Sequence, residues 1–231
     1  MYTLHIGNKN YSSWSLRPWI LMREKSIAFH EKLHAFGPKW AAKTNDAKAP
    51  ANKVPVLHDG SVVVWDSLAI AEYLAEKHAG IWPADRVARA WARSLSAEMH
   101  SGFQVLRNDC SMSCGHRIKL HRISDALRKD IERIGEAWGE GLARFGGPFL
   151  AGAEFTAVDA FFCPVAFRVQ TYGLQLPAPA ADYAKRLLAL PGMKEWYDAA
   201  LEETFRDMAH EHDFAAVGEI TADYRVAPVT A

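Results

Sequence analysis

The chain of 231 residues is long enough for one large or two small domains, and 49% hydrophobic residues suit a packed core rather than a disordered chain. Lysine plus arginine balance aspartate plus glutamate at 27 each, so the formal net charge is zero. This balance argues against nucleic acid or an anionic membrane surface as the main partner.

Three cysteines, an odd number, do not form a disulfide framework, and no apolar run approaches membrane-spanning length. The N-terminus has no basic region followed by an apolar core, so we expect no signal peptide. Together these features predict a protein of the reducing cytoplasm.

The first informative stretch reads as strand, turn and helix. Residues 2–6 alternate apolar and polar side chains, and residues 7–10 have turn composition. Three serines suited to a helix N-terminus follow: Ser12, Ser13 and Ser15. Pro18 is expected in the first helical turn, where its missing N–H costs least. A helix N-terminus favours a bound anion, including a thiolate, although serines there also serve simply as caps.

Residues 27–36 contain His30-Glu31-x-x-His34, which is the spacing of a zinc site when it lies on a helix. The alternation of this segment predicts a strand instead, on which residues four apart are separated by about 13 Å. We therefore expect two surface-facing histidines and no metal.

The next 45 residues complete a small mixed sheet covered by helices. Residues 39–48 are expected to form a short polar helix or loop. Two apolar runs flank Asp59-Gly60, which predicts a hairpin, and Pro55 stands at the first residue of its strand. Asp66-Ser67 then opens a helix with one apolar face.

Residues 79–85 read as a linker, and the chain beyond them is predicted to be helical. One long helix follows Asp85 and carries apolar residues as far as Leu106, and a second follows Ser124. Thr156 and Asp159 form a capping box before a helix that is apolar all round and contains Pro164; this helix is expected at the centre of a bundle. A last helix begins near residue 190, and the tail from Met208 is expected to fold back near the site.

The first third of the chain resembles the thioredoxin-like N-terminal domain of the soluble glutathione S-transferases. Three stretches occur in that family's order, residues 12–17, 53–57 and 66–74, and the first is most similar to the Ser-Ser-Cys-Ser-x-Arg motif of the zeta class. The resemblance extends over nearly the whole chain. It implies an α/β thioredoxin-like domain with a mixed four-stranded sheet at residues 1–79, and an all-α helical bundle domain at residues 86–231.

The resemblance also implies a site for glutathione. Ser12 matches the serine that donates a hydrogen bond to the glutathione sulfur and keeps it as a thiolate, with Ser13 or a backbone N–H in support. A serine cannot form a mixed disulfide, which argues against thiol–disulfide exchange. No metal is expected.

The rest of the tripeptide would be held by the second and third stretches. Val54-Pro55 matches the family's cis-proline, which lets the Val54 backbone pair with the cysteinyl part; an ordinary trans turn is the alternative. Ser67 suits the γ-glutamyl carboxylate and Asp66 the ammonium, unless the two only cap a helix. Lys53 is expected to reach the glycyl carboxylate.

The electrophile site departs from the zeta class, since Trp14 stands where that class has cysteine and Trp19 where it has a second arginine. This puts zeta-type isomerisation of diacids in doubt. Trp14 is expected to form an apolar wall near the sulfur or to pack between the domains. Arg107 is expected either to bind an anionic substrate or to form a surface salt bridge. The residues expected at the electrophile site are Trp14, Met99, His100, Phe103 and Arg107.

The resemblance thus implies a transferase that adds glutathione to a small, apolar electrophile, as in detoxification. A glutathione-dependent isomerase or peroxidase on the same fold is one alternative, and a non-catalytic binding or scaffold protein is another. A homodimer is implied, with Tyr73, Arg89 and Arg93 near its interface. Cys110 and Cys114 are expected to be inert.

Overall fold

The computed structural model describes residues 1–37 and 52–228; the short helix or loop expected at residues 39–48 lies outside the described residues. The N-terminal part contains β1 (Tyr2–Gly7), α1 (Ser13–Glu24), β2 (Phe29–His34), β3 (Val56–Asp59), β4 (Val62–Val64) and α2 (Ser67–Ala75). The strands form one sheet in the order β2-β1-β3-β4. Strand β1 is parallel to β2 and antiparallel to β3, and β4 is antiparallel to β3. The predicted mixed four-stranded, thioredoxin-like sheet is confirmed.

The centre of this sheet is apolar because β1 has a neighbouring strand on each side. Leu4 and Ile6 of β1 are fully buried, as are Leu57 of β3 and Leu16 of α1. Helix α1 lies against the sheet and is also the main contact with the helical part of the chain. The start of α1 is therefore fixed from both sides.

The second part is helical, as expected. Its elements are α3 (Arg86–Ser101), α4 (Gln104–Asp109), β5 (His116–Leu120), α5 (Asp125–Phe145), α6 (Ala157–Tyr172), α7 (Ala178–Leu188), α8 (Pro191–Leu201), α9 (Met208–Val217) and β6 (Gly218–Asp223). Fourteen of the sixteen residues of α6 are buried, so this helix is the centre of the bundle. Asp159 accepts a hydrogen bond from the Thr156 N–H at 2.8 Å, which completes the predicted capping box.

Two features of this part were not foreseen. Strands β5 and β6 pair as a two-stranded antiparallel sheet, which adds β structure to the helical domain. The long helix expected as far as Leu106 ends at Ser101, because Phe103 adopts a left-handed backbone (φ 58°) before α4 begins.

Two local expectations are corrected near the N-terminus. Pro18 is the sixth residue of α1 rather than part of its first turn, and the helix continues through it. His34 is 6% exposed and its ring stacks on His5, so of the two histidines in the zinc-like pattern His30 alone faces solvent. Both lie on the predicted strand β2, and no cluster of three potential metal ligands occurs among the residues described. Within those residues no helix is long and apolar enough to cross a membrane.

Candidate active site

A cavity of about 840 Å³ lies between the start of α1, the loops before β3 and α2, and the helical part. It is lined by Tyr11, Ser12, Ser13, Trp14, Phe36, Gly37, Lys53, Val54, Pro55, Trp65, Asp66, His100, Arg107, Ser111, Met112, Arg168, Asp207 and His210. Nine of the twelve residues expected at the site are in this set. The exceptions are Ser67, Met99 and Phe103.

Ser12 stands at the N-cap position of α1, but its side chain does not cap the helix. Its Oγ instead shares a hydrogen bond of 2.7 Å with Ser15 Oγ, which accepts the Gly7 N–H at 3.1 Å. Ser15 is fully buried, whereas Ser12 and Ser13 reach the cavity. The strand end, the turn and the helix start thus hold one hydroxyl group at the cavity wall beside the positive end of α1.

The second and third stretches form the facing wall. The Val54–Pro55 peptide is cis, as expected, and both residues line the cavity together with Lys53. Asp66 caps α2 by accepting the N–H groups of Leu68 and Ala69. Ser67 is fully buried, and its hydroxyl has no hydrogen-bond partner within the described ranges.

Asp66 also links the two parts of the chain. Its Oδ2 lies 3.1 Å from Nε2 of His100, which projects from α3. Burial lowers the pKa of His100, and the nearby charges of Arg17 and Arg107 lower it further, although Asp66 opposes this. The ring of His100 packs edge-on against Trp14 at 5.2 Å. One wall of the cavity is therefore aromatic.

Two arginines pack against this aromatic wall. The Arg17 guanidinium lies 4.2 Å from the centre of the Trp14 ring and 4.9 Å from that of Phe161, and the Arg107 guanidinium lies 4.9 Å from Trp14. Trp14 lines the cavity and also packs against His100 and Arg107 of the helical part. Arg107 is half-buried and forms no surface salt bridge among the residues described, because it donates to the carbonyl groups of Gly102 and Met99.

Arg17 is fully buried, and none of its three guanidinium nitrogens has a hydrogen-bond partner within the described part of the chain. Burial lowers its pKa well below the ordinary value, and the charges of Arg107 and Arg168 lower it further. Burial likewise lowers the pKa of Arg168, to about 10. Arg107 and Arg168 line the cavity, and the described residues place no carboxylate in contact with Arg17, so this end favours an anion.

Met99 and Phe103 do not belong to this wall. Met99 is fully buried and Phe103 is 7% exposed, and both are part of the hydrophobic core. Phe103 was expected at the cavity on the assumption of one continuous helix. The helix ends at Ser101, so that assumption does not hold for Phe103. Of the residues expected at the electrophile site, Trp14, His100 and Arg107 line the cavity. Ser111, Met112 and Arg168 line it too and were not predicted from the sequence.

The C-terminal tail forms a further wall of the cavity. The tail was expected to fold back near the site. Tyr11 donates to Glu211 Oε1 at 2.5 Å and accepts from Arg225 Nη1 at 3.0 Å. Arg225 also bonds both oxygens of Glu211 and pairs with Asp223 at 2.7 Å. These contacts hold α9 and β6 next to Tyr11, which precedes Ser12. Two further tail residues, Asp207 and His210, line the cavity.

Comparison with known proteins agrees with this architecture. Residues 11–77 match the model of the glutathione S-transferase N-terminal domain, and residues 119–199 match that of the C-terminal domain. A probable maleylacetoacetate isomerase of Caenorhabditis elegans is 26% identical over 181 residues, which cover 77% of this chain and 85% of that protein. A stringent starvation protein A homologue of Coxiella burnetii is 25% identical over 204 residues, which cover 87% of this chain and 92% of that protein.

Solved structures share the fold. A glutathione transferase homologue from Burkholderia gl BGR1 with bound glutathione superposes with a TM-score of 0.64 at 24% identity, covering 86% of this chain and 97% of that one. The theta class enzyme of Xanthomonas axonopodis pv. citri gives a TM-score of 0.63 at 21% identity, covering 85% and 96%. With both domain models matched in order on this fold, the chain belongs to the glutathione S-transferase family.

Proposed function

We propose that this protein binds glutathione in the cavity, holds its sulfur as a thiolate at Ser12 and adds it to a small electrophile. The observation that carries the proposal is the position of the Ser12 hydroxyl, which reaches the same cavity as the cis Val54–Pro55 peptide and the N-cap residue Asp66. A serine hydroxyl beside a helix N-terminus donates to a thiolate and favours it over the thiol.

The other contacts with the tripeptide follow the expected scheme. The Val54 backbone would pair with the cysteinyl unit, Asp66 with the ammonium group and Lys53 with the glycyl carboxylate. Ser67 would contribute through its N–H and its buried hydroxyl, which lacks another partner within the described residues. Ser13 lines the cavity next to Ser12 and is the alternative hydroxyl for the sulfur.

The test is carried out on the wild type, Ser12→Ala and Ser13→Ala. Calorimetry measures glutathione binding, and the ultraviolet absorbance of the thiolate measures its ionisation. We expect all three to bind glutathione and only Ser12→Ala to lose the thiolate absorbance. If Ser13→Ala alone loses the thiolate absorbance, Ser13 rather than Ser12 donates the hydrogen bond to the sulfur. If the wild type does not bind glutathione, the enzyme proposal fails and a scaffold protein on this fold is left.

A second reaction, glutathione-dependent isomerisation, is favoured by one observation. Arg107 and Arg168 line the cavity beside Arg17, and a C. elegans relative bears the name of an isomerase whose substrate is an organic acid. A carboxylate substrate with a cis double bond would suit these arginines. Incubation of maleylacetone with enzyme and glutathione separates the two reactions: a trans isomer indicates isomerisation, and a stable glutathione adduct indicates transfer.

We further propose a cytoplasmic homodimer. Tyr73 of α2 and Arg89 and Arg93 of α3 belong to neighbouring helices at one side of the molecule, and exposed Trp65 and Val87 lie near the starts of those helices. Light scattering on the purified protein tests the dimer, and Val87→Ser, at an exposed position outside the cavity lining, is expected to weaken it. A monomer of about 26 kDa in the wild type would reject the dimer.

A further inference from the structure

The tail contributes a hydrogen-bonded Asp–His pair to the cavity. His210 lies on α9, and its Nδ1 is 2.5 Å from Oδ2 of Asp207, the residue immediately before that helix. Asp207 is 9% exposed, and its own N–H points to the Tyr11 hydroxyl at 3.4 Å. Both members of the pair line the cavity. The carboxylate therefore fixes one nitrogen of an imidazole that is open to the ligand.

The pair lies on the serine side of the cavity. The His210 ring stacks on Tyr11, with centroids 4.9 Å apart, and on Phe36, with centroids 5.7 Å apart. Tyr11 precedes Ser12 in the chain. Phe36 is close as well, because the point where a Cβ on Gly7 would lie is 2.6 Å from Phe36 Cζ and 3.2 Å from Ser12 Oγ. The two rings in contact with His210 thus lie close to Ser12, and His210 and Ser12 line the same cavity.

The hydrogen bond to Asp207 determines which nitrogen of His210 accepts a proton. With Nδ1–H donated to the carboxylate, Nε2 carries the lone pair, and Nε2 has no partner within the described residues. His100 also lines the cavity, but its Nε2 faces Asp66 and its Nδ1 is buried without a partner among those residues. His210 is therefore the better placed proton acceptor.

Within the described ranges, the groups packed around His210 do not compete for this role. Burial raises the pKa of Tyr11, and its hydrogen bond to Glu211 raises it further, so the phenol stays protonated. Glu211 and Arg225 neutralise each other behind Tyr11, and Asp207 is taken by Nδ1. Phe36 and Phe214 supply apolar contacts on the remaining sides.

We propose that His210, held by Asp207, accepts the proton that the glutathione thiol loses in this cavity. The inference rests on the proposed function, because it concerns the same bound thiol. A serine hydroxyl stabilises a thiolate but takes up no proton near neutral pH, so the proton goes either to solvent or to a neighbouring base. The S–H bond breaks, its electron pair stays on sulfur and the proton moves to Nε2.

The same imidazolium serves the second half of an addition. When the sulfur bonds to the terminal carbon of an activated alkene, the π electron pair moves to the adjacent carbon. The proton on Nε2 then neutralises that carbanion and returns His210 to its starting form. His210 is a catalytic residue in this scheme and Asp207 a positioning residue.

The test compares His210→Gln, His210→Ala and Asp207→Asn with the control His212→Gln, which replaces an exposed histidine on the same helix. The absorbance of the thiolate measures how much bound glutathione is ionised. Calorimetry in two buffers of different ionisation enthalpy measures binding and counts the protons that are released to solvent. Both readouts use the binary complex, so they require no knowledge of the electrophile.

We expect the wild type and His212→Gln to form thiolate without releasing a full proton to the buffer. In His210→Gln glutathione still binds, but the thiolate fraction falls about tenfold, because loss of a neighbouring imidazolium raises the pKa of the thiol by about one unit or more. Added imidazole should restore the absorbance in His210→Ala, which a purely structural role would not allow. Asp207→Asn should give a smaller loss.

Equal thiolate fractions and proton counts in the wild type and His210→Gln would overturn this inference while leaving the transferase proposal intact. Failure of imidazole to restore the absorbance in His210→Ala would also count against it. Absence of glutathione binding in the wild type would overturn both proposals.

Discussion

Ser12 and Ser15 share a hydrogen bond of 2.7 Å between their hydroxyl oxygens, and Ser15 Oγ also accepts the N–H of Gly7. Ser12 Oγ is the donor in this bond, but hydroxyl hydrogens rotate, so the direction can reverse when a ligand competes for the hydrogen of Ser12. If Ser15 donates to Ser12, the hydrogen of Ser12 is free to point at a bound sulfur. The buried serine therefore orients the serine at the cavity.

Ser15→Ala tests this orientation. The substitution removes the second hydroxyl and leaves the Gly7 N–H without its acceptor, so we expect a loss of about 1 kcal/mol in the free energy of unfolding. The thiolate absorbance of bound glutathione should also decrease, although less than in Ser12→Ala. Ser94→Ala, which alters an exposed serine on α3, is the control. An unchanged thiolate in Ser15→Ala would show that Ser12 is oriented without its neighbour.

Arg17 is expected to lower the stability of the unliganded protein. Its guanidinium is fully buried without a hydrogen-bond partner in the described residues, and cation–π contacts with Trp14 and Phe161 offset only part of the desolvation cost. Arg17→Met should raise the free energy of unfolding by about 1–4 kcal/mol in chemical denaturation. Arg23→Met, at an exposed position of the same helix, should change it little. A destabilised Arg17→Met variant would mean that the cation–π contacts outweigh desolvation.

Arg225 holds the tail against Tyr11. Its side chain is 2% exposed, and Arg225→Met leaves Glu211 and Asp223 without their cation. We expect a loss of about 2 kcal/mol, faster proteolysis within α9 and β6, and weaker glutathione binding. The exposed Arg122→Met serves as the control. Proteolysis at the wild-type rate would show that the tail is held mainly by apolar contacts such as Phe214.

The same ion pairs predict a sensitivity of the tail to acid. Burial alone would raise the pKa of Asp223, but hydrogen bonds and charge from Arg225 lower it to about 2, and the pKa of Glu211 is lowered in the same way. A lowered folded-state pKa means that the unfolded chain binds more protons, so stability decreases as the pH falls from about 4 to about 2. Proteolysis of the tail, measured with an acid-active protease, should accelerate in this range. The acceleration should be weaker in Arg225→Met, and equal acceleration in both proteins would contradict the assignment.

The cysteines should not react in the native protein. All three are buried, and burial raises the pKa of Cys110 to about 12 and that of Cys114 and Cys163 well above the ordinary value. We expect no modification by iodoacetamide in buffer and three modified thiols in denaturant, as measured by mass spectrometry. Rapid labelling of one native thiol would identify a site that the structure does not explain.

Local patterns in the sequence predicted much of the fold. The alternation in β1, the Asp59-Gly60 hairpin, the Asp66 cap of α2 and the capping box of α6 each depend on neighbouring residues. These local features were accessible because their physical causes lie within a few positions of one another. The site at Ser12, Pro55 and Asp66 was instead indicated by the resemblance to the glutathione S-transferases, which depends on the order of three short stretches.

The parts that escaped prediction depend on distant partners. The left-handed Phe103 redirects α4, the β5–β6 pairing joins residues about a hundred positions apart, and Arg225 reaches back to Tyr11. His210-Glu211-His212 is visible as a cluster, but nothing in the sequence indicates that His210 stacks on Tyr11 while His212 faces solvent. Periodicity reports which face of a helix is apolar, not which loop lies opposite it.

The bond between Tyr11 and Glu211 joins residues 200 positions apart. During synthesis the strand, turn and helix that carry Ser12 leave the ribosome long before the tail that covers them. Domains generally begin to fold as they emerge, so the thioredoxin-like half has time to form while its cavity still lacks a wall. Nascent chains interrupted before residue 207 would therefore carry the serine but neither the Asp207–His210 pair nor the contacts of Arg225, and the complete site would arise only after the tail has been translated.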